Sequence, residues 1–247
     1  MTRSVTLVSL ALLFAGACFS QNEPKSNWNV VIREFDVPTE KARPHDPEVA
    51  PDGSLWYTGQ RANNLGRLDP KTGQIREFPL KTENSGPHGL VADKQGNIWY
   101  TGNSAAHIGK LDPKTLEVKE YVLPEGARVR RLTSGTDGYI YYADFARGYL
   151  GRLDPKSGKV EEWASPGGAR SRPYGIAATK DGMIWYSESG VEPNTLVVFD
   201  PKAGTFEKWP IPSGGGVVRH MVPTPDGRLY LANSGVNKVA IAEIKRK

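Results

Sequence analysis

Four histidines, His45, His88, His107 and His220, are this chain's candidates for proton transfer or metal ligation near neutral pH. Two of them follow a proline in matching phrases, Arg43-Pro44-His45 and Gly86-Pro87-His88. Both lie eight residues before a glycine, Gly53 and Gly96. The same offset from Gly138, Gly182 and Gly227 gives Arg130, Tyr174 and Arg219, with His220 one step further. Six residues after the same five glycines lie Gly59, Gly102, Asp144, Glu188 and Asn233. A neutral imidazole can take a proton. A carboxylate suits a hard cation. A guanidinium presents a planar fork of donors to a carboxylate or phosphate. Each Pro-His pair also reads as a strand start whose imidazole bonds a neighbouring loop.

The elements that hold these residues follow from an internal period. The five glycines are spaced by 43, 42, 44 and 45 residues, and Asp69, Asp112, Asp154 and Asp200 by 43, 42 and 46. Period-two segments rich in aromatic and β-branched residues follow each glycine, as in Ile98-Trp99-Tyr100-Thr101. Each Asp begins a turn, as in Asp112-Pro113-Lys114-Thr115. Each repeat therefore reads as four short strands, which is one propeller blade. The fold class expected is all-β, a β-propeller of five four-stranded blades. The last repeat supplies three strands, and residues 31–35 resemble the fourth strand of other repeats. That segment is expected to complete the last blade and close the ring, hiding sheet edges.

In a propeller the first strand of each blade lines the channel. The strand starts and the loops between second and third strands then meet at one mouth. The ligand-binding candidates there are Arg130, Tyr174, Arg219, His220 and Asn233. Arg43, Arg61, Arg128, Arg131, Arg147, Arg170 and Arg172 fall in nearby segments. A concave mouth with such groups is the expected ligand site. Trp56, Trp99 and Trp185 read as packing between blades.

Residues 1–20 read as a secretory signal: Arg3, then a mostly apolar run over 5–14, then Ala15-Gly16-Ala17. Residues 21–27 read as a linker and 28–247 as the propeller domain. The protein is expected to be exported, to the periplasm or outside the cell. Cys18 is the single cysteine. It offers the one membrane link, a lipid anchor, set against plain cleavage after Ala17 or Ser20. The net charge of +5 resides largely in Asp-Pro-Lys turns with acids beside them. That pattern describes a solvated rim and excludes a nucleic-acid stripe. A monomer is expected.

The phrases Gly86-Pro87-His88-Gly89-Leu90, Asn97-Ile98-Trp99-Tyr100-Thr101 and His107-Ile108-Gly109-Lys110-Leu111 resemble the virginiamycin B lyase (streptogramin lyase) family. The resemblance implies an activity: opening a cyclic depsipeptide at its ester bond by elimination, with Mg²⁺ polarising the carbonyl and a His removing the adjacent proton. By residue matching it makes His88 the general base and His45 the metal-side histidine, the two catalytic candidates. The family carries acids where this chain has Gly86 and Gly102, and seven blades where five are counted here. Asp144 and Glu188, with His45, are the candidate metal set in their place. Two other readings fit the residues. One is a gluconolactonase-like lactone hydrolase. The other is a non-catalytic module binding an anionic ligand or a protein through its arginines. The expected partner is a small ester, lactone or anionic ligand.

Overall fold

A computed structural model describes residues 31–245. Within the unit Asp36–Lys247 the chain forms antiparallel sheets, and among the described residues there is no helix. Blade 1 is β1 (Pro44–Val49), β2 (Leu55–Gly59), β3 (Asn64–Leu68) and β4 (Ile75–Pro79). Blade 2 is β5 (Pro87–Ala92), β6 (Ile98–Gly102), β7 (His107–Leu111) and β8 (Val118–Val122). Blade 3 is β9 (Val129–Ser134), β10 (Ile140–Asp144), β11 (Tyr149–Leu153) and β12 (Val160–Ala164). Blade 4 is β13 (Pro173–Ala178), β14 (Ile184–Glu188), β15 (Thr195–Asp200) and β16 (Thr205–Pro210). Blade 5 is β17 (Val217–Pro223), β18 (Arg228–Ser234) and β19 (Lys238–Glu243). Each blade pairs its strands in chain order, so the protein is a five-bladed β-propeller array.

The repeat glycines turn the chain between first and second strands. Gly96, for example, has φ of 86°, a conformation that a Cβ disfavours. The inner strands pack in succession, β1 on β5, β5 on β9, β9 on β13 and β13 on β17. Four apolar clusters fill the four spaces between blades. Trp56 of blade 1 meets Ile98 and Tyr100 of blade 2. Trp99 meets Ile140 and Tyr142, Tyr141 meets Ile184 and Tyr186, and Trp185 meets Leu229 and Leu231. The tryptophans expected to pack between blades do so.

Two expectations are corrected. Residues 31–35 form no strand, and blade 5 has three strands, not four. Nor does packing like that between the other inner strands join β17 to β1. Outer strands explain the first difference. β16 is exposed along most of its length, so an outer strand buries little apolar surface. β16 is held by a short turn from β15, whereas residues 31–35 would have to pair across the whole length of the chain. A cleft of about 890 Å³ lies between β16 and β19, lined by Met183, Trp185, Trp209 and Ile241. Residues 1–27, with Cys18, the export signal and the linker, lie outside the described residues.

Candidate active site

Each inner strand begins with a β-bulge, and the bulge builds the site. In blade 1, Pro44 pairs with Gly59 and Pro47 with Tyr57, so His45 and Asp46 together face Thr58. Two consecutive side chains are thereby re-aimed. Register shifts recur at Pro87/Leu90, Pro173/Ile176 and Val218/Met221, and in blade 3 next to Arg130. The displaced backbone N–H of the second bulge residue donates to a hydroxyl on the second strand. Asp46 N donates to Thr58 Oγ1 at 3.1 Å, Gly89 N to Thr101 Oγ1 at 2.8 Å, and Gly175 N to Ser187 Oγ at 3.2 Å. The Thr58 and Ser187 hydroxyls pass a bond on to His88 O and Val218 O of the next blade.

The equivalent first positions of the bulges converge, as their register predicts. The rings of His45 and His88 lie 4.2 Å apart. His88 Nε2 is 3.4 Å from the Tyr174 hydroxyl. The Arg130 guanidinium lies over Tyr174 at 5.3 Å and over Phe145 at 4.3 Å, and Arg219 over Tyr174 at 6.0 Å. The second bulge positions add a group that the register alone does not disclose. Asp46 is buried, accepts from His45 Nδ1 at 2.7 Å and pairs with Arg131. With its Nδ1 donating, His45 keeps a lone pair at Nε2. Asp46 was legible as the residue beside His45; the signal missed is that a bulge aims two neighbours, not one, into the channel.

Burial is the main force holding the His88 imidazole down to about 3, aided by the nearby His45, Arg131 and Arg130 charges. His88 is therefore neutral at pH 7, and a proton on it is held more weakly than on a free imidazole. His220 sits at the rim. Its ring is shifted down by the protein around it and by Arg131, with Asp46 opposing. Asn233 is buried on β18, within blade 5.

Asp144 and Glu188 do not join His45. The Asp144 carboxylate accepts from the backbone N–H of Arg128, Ala146 and Arg147 and pairs with the Arg147 side chain at 3.2 Å. Glu188 accepts from Ser165 Oγ at 2.6 Å, Gly167 N at 2.5 Å and Thr195 Oγ1. Asp144 Oδ1 and both Glu188 oxygens are taken by those bonds, and Asp144 Oδ2 has the Arg147 ion pair but no hydrogen bond. His107 likewise lies inside blade 2, 3.7 Å from Glu120 and edge-on to Tyr100.

Among the described residues, the ligating atoms that do gather are those of His45, Asp46 and His88, all within 4.8 Å of one another. Two imidazoles and a carboxylate fit a divalent cation in number and kind. They supply one oxygen-donor residue, so they favour an ion that accepts nitrogen over Mg²⁺, which prefers oxygen. Gly86 and Gly102, where the resemblance implies acids, are closely packed. A Cβ on Gly102 would lie 2.2 Å from the His107 ring, and one on Gly86 would lie 2.5 Å from Ser104 Oγ.

Residues 25–101 and 91–246 match the virginiamycin B lyase family. The chain belongs to that family. A catalytically inactive virginiamycin B lyase from Staphylococcus aureus, solved with quinupristin, superposes with a TM-score of 0.80 at 26% identity, covering 87% of this chain and 71% of that one. A streptogramin B lyase structure superposes with 0.75 at 26% identity, covering 87% and 73%. A gluconolactonase from Xanthomonas campestris shares the fold, with 0.62 at 14% identity over 81% and 72%. No curated protein sequence matches the chain.

Proposed function

We propose that this protein is a carbon–oxygen lyase that opens an ester or lactone by elimination. The observation that carries the reading is a neutral, buried His88 whose ring lies 4.2 Å from that of His45, itself paired with Asp46. The likeness to lyases of the same family supports it. Elimination needs a base for a weakly acidic proton next to a carbonyl, and positive charge where the enolate develops. His88 Nε2 is the base. A divalent cation on His45 Nε2 would supply Lewis acidity beside the carbonyl oxygen, with Asp46 bonded to Nδ1 behind it. Arg131 holds Asp46 in place, and Asp46 fixes the tautomer of His45.

The test is turnover of a streptogramin B depsipeptide and of simple lactones, with and without divalent metal, with products read by mass spectrometry in labelled water. Elimination leaves a double bond and no label, whereas a gluconolactonase-like hydrolase incorporates label. His88→Ala is expected to slow turnover by about 10²–10⁴-fold. Asp46→Asn is expected to weaken activation by metal. Full turnover by the His88 variant would remove the proposal.

A further inference from the structure

Five arginines near or in the blades have carboxylate partners: Arg67, Arg131, Arg147, Arg152 and Arg228. Arg130 and Arg219 do not, among the described residues, and both sit at the bulge positions that face the channel. The Arg130 guanidinium lies 4.3 Å from the Phe145 ring centre and 5.3 Å from that of Tyr174, two rings set edge to face, and its Nε is buried without a hydrogen-bond partner. Arg219 Nε donates to Ser234 Oγ at 2.8 Å, which fixes the fork beside Tyr174. Stacking on rings leaves the guanidinium edges as donors. Two oriented cations without counter-charge, flanking a tyrosine that touches His88, form a subsite for an anion.

We propose that this subsite takes a carboxylate, and that the substrate is a carboxylic acid carrying an oxygen leaving group on the carbon two removed from the carboxyl. The inference rests on the elimination reading above and names its substrate class. Arg130 and Arg219 hold the carboxylate and stabilise the negative charge that grows on it. His88 Nε2 removes the proton from the carbon between the carboxylate and the leaving-group carbon. That electron pair becomes the new C=C bond, and the C–O bond of the leaving group breaks. An acyloxy group departs as a carboxylate and needs no proton. An alkoxy group takes the phenolic proton of Tyr174, and the His88 imidazolium returns a proton to the phenolate across their 3.4 Å contact. With an acyloxy group the proton on His88 passes to solvent, so protons balance in both cases, and no oxidant or reductant is required.

The experiment uses 3-acetoxybutanoate, 3-methoxybutanoate and the neutral amide of each, with the new conjugated double bond followed by ultraviolet absorbance. The acids are expected to react at least tenfold faster than the amides. Arg130→Gln and Arg219→Gln are expected to raise KM for the acids at least tenfold more than for the amides. Tyr174→Phe is expected to slow the methoxy acid at least tenfold more than the acetoxy acid. Equal turnover of acid and amide, or acids indifferent to both arginine variants, overturns the subsite. If neither substrate reacts, the elimination reading fails and calorimetric titration with 3-acetoxybutanoate still judges the subsite. Binding that beats the amide tenfold and is lost in Arg130→Gln supports it, and equal binding overturns it.

Discussion

Three of the four histidines sit where a proton is unwelcome. The His88 ring is held down to about 3, and burial also lowers His107 and His220. In the unfolded chain each would protonate near 6.5. The unfolded state thus binds more protons between about pH 6.5 and the lower folded values. Stability from these groups is complete above that window and is lost as pH falls through it. In the presence of a chelator, the melting temperature should stay level from pH 8 to 7 and drop between pH 6.5 and 4. His88→Gln and His107→Gln should each shallow the drop. A level melting temperature across that range in the parent protein would contradict the buried neutral imidazoles. The pairing of His45 with His88 was readable because both keep one offset from a turn glycine. The roles of Asp144 and Glu188 were not: offset alone does not say whether a carboxylate faces the channel or its own loop. Backbone N–H groups and hydroxyls claim both acids, and these partners come together only on folding.

At the scale of the blade, a tyrosine, a glycine and a glutamate repeat as a unit. Tyr57, Tyr100 and Tyr142 on second strands lie across Gly66, Gly109 and Gly151 on third strands. Their hydroxyls donate to Glu77, Glu120 and Glu162 on fourth strands, at 3.2, 3.1 and 2.8 Å. The ring needs a strand position with no side chain, since a Cβ on Gly109 would stand 1.9 Å from Tyr100 Cζ. Gly109→Ala should therefore destabilise by about 1–3 kcal/mol through overpacking. The measurement is urea unfolding as a double-mutant cycle with Tyr100→Ala, which removes the ring that the new methyl would strike. The two changes should cost less together than the sum of each alone. Strict additivity would mean that the ring is not what excludes a side chain. The strands were legible from their alternation, yet this unit was not singled out, because its three members face one another only when three strands pair.

At the scale of the whole array, equivalent positions differ in exposure, and the difference locates two open faces. Trp99 is 1% exposed, whereas Tyr230, at the same offset in blade 5, is 42% exposed. Leu150 is fully buried between blades 3 and 4, whereas Val239, at the same offset in blade 5, is 88% exposed. On blade 1, Val49 is also exposed, and Leu55 is half-buried where Ile98, Ile140, Ile184 and Leu229 are buried. Each interior space joins the forward face of one blade to the rear face of the next. Blade 5 keeps an unmatched forward face and blade 1 an unmatched rear face. The resemblance implies seven blades, and the share of the Staphylococcus aureus lyase covered here is about what five of seven would give. The repeat period revealed how many blades there are; it carried no information on the angle between them, which decides whether five can close. A pair of matched truncations tests the difference. Leu150→Ala should cost about 2–5 kcal/mol, as expected for a leucine deleted from a packed core. Val239→Ala should stay within about 0.5 kcal/mol, as expected at a surface. Denaturant unfolding at several protein concentrations measures both. A loss at Val239 approaching that at Leu150 would show that the forward face of blade 5 is covered. If that loss held at every concentration, the cover would come from the chain itself; if it faded on dilution, it would come from a second molecule.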